Sequence, residues 1–324
     1  MSHPDRVSPT GGESVDTIAE PPALAGKRAE SLAEFAARHG LTQSAARPPL
    51  RRYIHDVWQR RTFIWNFASA KSMSMYTSSR LGQVWQVLTP LLNAGVYYLI
   101  FGVLLKTDKG IGNFPAFLIT GVFVFTFTQR SLTAGSKSIG NNLSLIRALH
   151  FPRASLPFAH VIVELQQLLV SMVVLMGIVL ITGEPITWRW LLLAPALMLQ
   201  LIFNMGISLI IARVGAFTRD IQQLLPFITR TWLYFSGIFF MTAALSERAV
   251  VKDHPWIAKV LEANPASVFI ELVRTSLMES YPRDLAQHGW GHHHLWFYAV
   301  AWALVAFIGG FWYFYRAEER YGRG

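Results

Sequence analysis

Six apolar segments constrain this chain more than any other feature: 84–105, 114–133, 157–182, 190–217, 224–244 and 295–315. Each approaches or exceeds the roughly 20 residues that cross a bilayer as a helix, and Trp or Tyr marks several of their ends. Hydrophobic residues make up 52% of the chain and charged residues 15%, against about 25% charged in an average soluble protein. The deficit sits in the apolar runs, so the sequence predicts an all-α integral membrane protein with six transmembrane helices. Pro90, Pro195 and Pro226 fall within or near span starts, where a missing backbone donor is easiest to accommodate.

A basic amphipathic stretch, 50–67, precedes the first span. Leu50, Tyr53, Ile54, Val57, Trp58, Ile64, Trp65 and Ala68 recur near a helical period, and Arg51, Arg52, Arg60 and Arg61 supply charge. That pattern predicts an N-terminal interface helix, with arginines toward anionic headgroups and tryptophans just below them. Residues 47–80 are therefore read as interface helix and connector, and 81–324 as the six-span domain. Residues 1–46 are rich in Ser, Pro, Gly and acids and lack the apolar core of a secretory signal, which predicts a disordered cytoplasmic extension. Within it, Ser31-Leu32-Ala33-Glu34 fits a capping box and Gly40 a stop for one short helix.

The connecting segments set the orientation. Arg47 to Arg80 carries many bases against Asp56 alone, and the loop after the second span has Lys137, Arg147 and Arg153 without an acid. The loops near 106–109 and 184–189 are nearly balanced, as is the long segment 246–294. The positive-inside rule then puts both termini in the cytoplasm and the long fifth connection outside. That connection holds two apolar pieces, 255–261 and 266–278, too short to cross, and they predict external dipping helices.

The formal charge of +10 flanks the apolar runs and forms no separate basic domain, so it reads as topology and not as a nucleic-acid surface. Cysteine is absent, which removes thiolate metal sites and cysteine nucleophiles. The sequence has no GxxxxGK[ST], HExxH or GxSxG, so it offers no such phosphate loop, zinc helix or nucleophile elbow. His288 and His292-His293-His294 lack neighbouring acids at ligand spacing and read as a loop or membrane-edge run; no metal is expected. Within the spans, Glu164 reads as a buried interhelical contact, and Arg130 and Arg230 as snorkelling cations. Aromatics are the abundant chemistry there: Tyr97, Tyr98 and Phe101 on the first span, Phe123 and Phe127 on the second, Trp232, Phe235 and Phe239 on the fifth. Ring faces suit the apolar face of a sliding sugar, and equally suit ordinary packing.

Four patches carry a family likeness. They are Ser79-x-Leu81-Gly82-x-x-Trp85-x-x-Leu88-x-Pro90; Asn142-x-x-Leu145-Ile146 with Phe151-Pro152-Arg153 and Leu156-Pro157; Arg219-Asp220-Ile221 with Pro226-Phe227 and Ser236-Gly237-Ile238-Phe239; and Asn264-Pro265 with Ile270 and Arg274. Set among six spans, they make the chain resemble the transmembrane subunit of a polysaccharide ABC exporter of the ABC-2 type, the group exporting O-antigen, teichoic acid and galactan chains. The resemblance implies a homodimer working with two copies of a separate ATPase subunit, which would bind ATP and Mg; this chain itself needs no cofactor. It implies a channel lined by Tyr97, Tyr98, Phe101, Trp232, Phe235 and Phe239, and a coupling loop bearing Asn142, Arg147, Phe151, Pro152 and Arg153. It further implies that Arg60 and Arg61, flanked by Trp58 and Trp65, admit the diphosphate of a lipid-linked polysaccharide. The cargo so implied is a cell-wall galactan or O-antigen-like glycan leaving across a bacterial cytoplasmic membrane. A drug or lipid exporter, a polyprenyl-lipid-modifying enzyme and an ion-coupled carrier are the alternatives. The enzyme needs a convergent acid, base or metal set, and the carrier needs midplane charges and an internal repeat.

Overall fold

The computed structural model describes residues 48–75, 81–82, 84–106, 111–149, 151–241, 254–287 and 293–321, with Phe35, Arg38 and His39. The chain divides into two compact units, Met1–Ala46 and Arg47–Gly324, and all of the long helices lie in the second. Most of 1–46, with its expected short helix, lies outside the described residues, as do Ser79, His288 and His292.

Every element among the described residues is helical. Helices α1 (Leu50–Gln59) and α2 (Arg61–Ser74) precede α3 (Val84–Tyr97), which widens into a π-helix at Tyr98–Leu104. Next come α4 (Phe114–Ser138), a 3-10 turn at Gly140–Asn142, the short α5 (Leu143–Ala148) and α6 (Ser155–Ile181). A 3-10 turn at Trp188–Leu192 leads into α7 (Leu193–Phe217), followed by α8 (Ile221–Tyr234). Three shorter helices, α9 (Pro255–Glu262), α10 (Pro265–Leu277) and α11 (Ser280–Gln287), precede α12 (His293–Tyr315) and a final 3-10 turn at Glu318–Arg320. Local chemistry places several starts. The Asn113 side chain accepts the Ala116 N–H at 3.3 Å at the head of α4, and Asn264 accepts the Ala266 N–H at 3.1 Å at the head of α10. Each helix has a proline in its first turn, where no donor is lost.

Among the described residues, four helices are long and apolar enough to cross a membrane: Val87–Leu104, Ser155–Ile181, Trp188–Phe217 and His294–Tyr315. Helix α4 has the length, at 25 residues, but carries Gln129, Arg130 and Lys137 in its second half and is not among the four. Its surroundings explain how it tolerates them. It is the central helix, packed by α6, α7, α8 and α10. Gln129 donates to the Thr229 hydroxyl at 3.2 Å, and Arg130 to Gln167 Oε1 at 2.8 Å. Polar groups satisfied by neighbouring helices need not face lipid. Helix α8 has only 14 residues, about 21 Å of rise. The continuous helix expected across 224–244 stops at Tyr234, and the chain turns through 235–240 with Gly237 at φ +70°.

The single amphipathic helix expected over 50–67 is two, broken at Arg60. The break divides its apolar residues between two environments. Tyr53, Ile64 and Ala68 are buried in a cluster with Phe158, Leu209 and Phe314, while Leu50, Ile54, Trp58 and Trp65 stay exposed. One side is thus core, and the other is an apolar surface of the kind that meets lipid. A larger core surrounds α4.

Candidate functional site: an aromatic cluster and a pinned loop

The aromatic residues expected to line one path separate into three environments. Phe239, only 3% exposed, is the centre of one. Phe101 stacks on it with ring centroids 4.2 Å apart, Tyr97 meets it edge-on at 5.0 Å, and Tyr234 lies 5.7 Å away. Trp232 belongs elsewhere: its indole N–H donates to Asn264 Oδ1 at 2.8 Å and its ring meets Phe125 edge-on. Tyr98 leans toward Phe114 at 6.2 Å, with 40% of its surface exposed, and Phe235 is 56% exposed. Phe235 and Phe239 therefore share no helical stripe, because α8 has ended before them. The exposed faces are Tyr98 and Phe235, together with Tyr234 and Phe227. Truncation separates the buried ring cluster from the exposed rings. Phe239→Ala should lower the melting temperature of purified protein by the equivalent of about 3–5 kcal/mol. Phe235→Ala should change stability by less than about 0.5 kcal/mol.

A buried arginine holds the break after α8. Arg274, fully buried on α10, donates to the Phe117 carbonyl from Nε and Nη2 at 3.1 and 3.0 Å. It also donates to the Gly237 and Ile238 carbonyls at 2.8 and 3.1 Å. Its guanidinium lies 3.3 Å over the Phe117 ring, and Glu271 sits 3.8 Å away, receiving the Tyr281 hydroxyl at 2.5 Å. Asn264 completes the fastening by donating to the Phe235 carbonyl at 2.8 Å. Carbonyls released where a helix stops need partners in an apolar interior, and a rigid planar fork with several donors supplies them together.

The loop between α4 and α6 is pinned as well. Asn142 donates to the Ser138 carbonyl at 2.7 Å, and the Pro152 carbonyl accepts the Ser155 N–H at 3.0 Å. Phe151 is half-buried with its ring 5.7 Å from Phe63 of α2. The Arg153 N–H donates to Glu318 Oε1 at 3.0 Å, its guanidinium donates to the Glu318 carbonyl, and the Tyr53 hydroxyl donates to Glu318 Oε2 at 2.8 Å. Tyr53 also receives the Ala154 N–H at 3.2 Å. Burial raises the Glu318 carboxyl above its ordinary range; the Arg153 N–H, the Tyr53 hydroxyl and the Arg153 guanidinium pull it back. Arg147, on α5, is exposed. Sequence reasoning missed Tyr53 and Glu318 because their partnership spans 265 positions.

On α1 and α2, the guanidinium of Arg61 stacks over Trp58, 5.5 Å from its centroid. Arg60 sits in the break between the helices, and Trp65 is exposed. Arg130 faces Gln167 instead of snorkelling outward. Glu164 borders a cavity of about 20 Å³ with Pro90, Arg130, Gln167 and Ser171, room for about one water. Among the described residues, no three His, Cys, Asp or Glu converge as a metal site. What the geometry offers is exposed ring faces on α3 and beyond α8, and a braced loop at the opposite end of α4.

A family model described as ABC-2 type transporter matches residues 63–278. The O-antigen export system permease protein RfbA of Myxococcus xanthus is 25% identical over 73% of this chain and 85% of that protein. The protein of the same name from Klebsiella pneumoniae is 29% identical over 53% of this chain and 66% of its own length. The polysialic acid transport protein KpsM of Escherichia coli is 26% identical over 62% of this chain and 76% of its own.

Proposed function

Since this chain belongs to the ABC-2 type transporter family, we propose that it is the permease subunit of an ATP-driven polysaccharide exporter in a bacterial inner membrane. The observation that carries this reading is the likeness to an O-antigen export permease over 85% of that protein's length. Four helices long and apolar enough to span agree with it. We take α4 and the α8 segment as two further crossings, with both termini cytoplasmic and α9 to α11 on the outer side. Residues 47–80 then form the interface module and 81–324 the transport domain.

In this reading two copies of the chain assemble with two ATPase subunits, and the cargo is a lipid-diphosphate-linked glycan of the O-antigen or galactan type. Sugars slide over the exposed rings of Tyr98 and Phe235. Tyr97, Phe101, Trp232 and Phe239 set the shape of that surface from beneath. The diphosphate is first met by Arg60 at the break between α1 and α2, where a guanidinium matches phosphate oxygens. Arg147 on α5 touches the ATPase, Phe151 and Arg153 hold that loop to α2 and to Glu318, and Asn142 and Pro152 turn the chain at its two ends. Movement of the loop would thereby reach the interface helices.

Arg147→Glu tests the arrangement. It should leave folding and insertion unchanged but cut export severely, because it reverses charge at the partner surface without touching the core. Surface glycan, intracellular lipid-linked glycan and ATPase co-purification are the readouts. Full export with full complex assembly would remove the coupling role, and normal surface glycan in a strain lacking the chain would remove the exporter.

A further inference from the structure

An apolar groove of about 740 Å³ lies between the α1–α2 pair and helices α6, α7 and α12. Ile54, Trp58 and Trp65 form one wall, and Phe158, Ile308 and Trp312 the other. The residues lining it include none from α3 or α8, so it is set apart from the proposed sugar path. Each wall carries a tryptophan with an arginine stacked on it. The Arg61 guanidinium is 5.5 Å from the Trp58 ring centroid, and that of Arg316 is 3.9 Å from the Trp312 centroid. Both arginines are exposed, and among the described residues no acidic side chain lines the groove.

We propose that this groove binds one anionic phospholipid of the cytoplasmic leaflet, with an acyl chain in the groove and the headgroup phosphate held by Arg61 and Arg316. The leaflet rests on the orientation given under the proposed function; the binding itself does not depend on the cargo. The volume falls in the range of about 300–1,000 Å³ usual for small-ligand sites. Its lining is almost wholly apolar, so a polar solute would gain little inside it, whereas an acyl chain needs only apolar walls. Guanidinium forks match phosphate oxygens, and ring faces hold the guanidiniums in place without neutralising them. Tryptophans at this depth favour the headgroup boundary. The lipid would brace α1 against α12, and α1 is the helix whose Tyr53 holds Glu318.

The test offers the purified full chain equimolar phosphatidylglycerol and phosphatidylcholine in mild detergent and counts retained lipids by native mass spectrometry. Wild-type protein should retain phosphatidylglycerol preferentially. Arg61→Gln and Arg316→Gln should each weaken that preference about fivefold, the weight of one cation near an anionic surface, while Arg61→Lys keeps most of it. Ile308→Trp, which fills the groove, should lower retention of both lipids. Equal retention of the two lipids by wild type would overturn the proposal, and that measurement needs no variant to fold. An unchanged preference in the double glutamine variant would overturn it too. Displacement of phosphatidylglycerol from wild type by a polyprenyl diphosphate would assign the groove to the cargo instead.

Discussion

Arg274→Ala should cost more stability than the loss of any exposed arginine in this protein, and we expect a fall of about 10 °C in melting temperature. Arg274 supplies four hydrogen bonds to three backbone carbonyls, two of them in the segment where α8 has stopped. Each carbonyl left unpaired in an apolar interior costs about 1–3 kcal/mol, and Glu271 loses its cation 3.8 Å away. Removing one member of a buried charged pair typically costs about 3–5 kcal/mol, which for a chain of this size is roughly the stated shift. Lysine should rescue little, since a point charge cannot fork to several carbonyls. Gly121→Ala should produce a smaller loss of the same kind, because a Cβ there would sit 2.7 Å from Arg274 Nη2. Melting followed by size-exclusion chromatography in detergent reads all three, and an unchanged Arg274→Ala profile would show that the carbonyls find other partners.

The second large effect is expected at the crossing of α7 and α12, the most extensively packed pair among the described helices. A Cβ on Gly206 would fall on the Ala306 carbonyl and the Phe307 N–H, and one on Gly310 would fall on the carbonyl of Gly206. These obstacles are backbone, which cannot rotate aside as a side chain can. Small residues at such a contact let helices approach closely, the usual basis of packing where both partners are already in lipid. Gly206→Val should therefore cost at least about 3 kcal/mol, the upper end for overpacking, and leave little monodisperse protein. Gly309 is the control. It neighbours Gly310 on the same helix, yet a Cβ there would meet nothing within 4 Å, so Gly309→Val should be recovered normally. Equal behaviour of the two variants would show that helix propensity, and not the crossing, governs the outcome.

Much of the helical plan was legible in the chain because it rests on local properties. The span read at 157–182 is the helix Ser155–Ile181, and those read at 190–217 and 295–315 are α7 with its leading turn and α12. Continuous apolar length selects helix wherever backbone groups must pair within their own segment. The start of α4 was similarly local, resting on Asn113 and Pro115. The aromatic site was legible in its residue types and not in its arrangement. A stripe drawn at helical period assumed that α8 continues past Tyr234, and the break moved Phe239 into the core while leaving Phe235 outside.

By itself, then, the sequence determined which stretches are helical and apolar, where positive charge flanks them, and that no familiar phosphate-binding or hydrolytic motif is present; these rest on composition and short-range spacing. Only the tertiary structure decided where the fifth apolar segment stops, because its freed carbonyls are stable only when Arg274 arrives from a helix some 36 positions onward. It also decided which face of the amphipathic pair is core, through contacts with α6, α7 and α12. The same holds for Arg153, which looks like a loop cation until Glu318 and Tyr53 are brought to it from the two ends of the domain. Distant partners meet only when the helices pack, so their pairing leaves no mark at any local period.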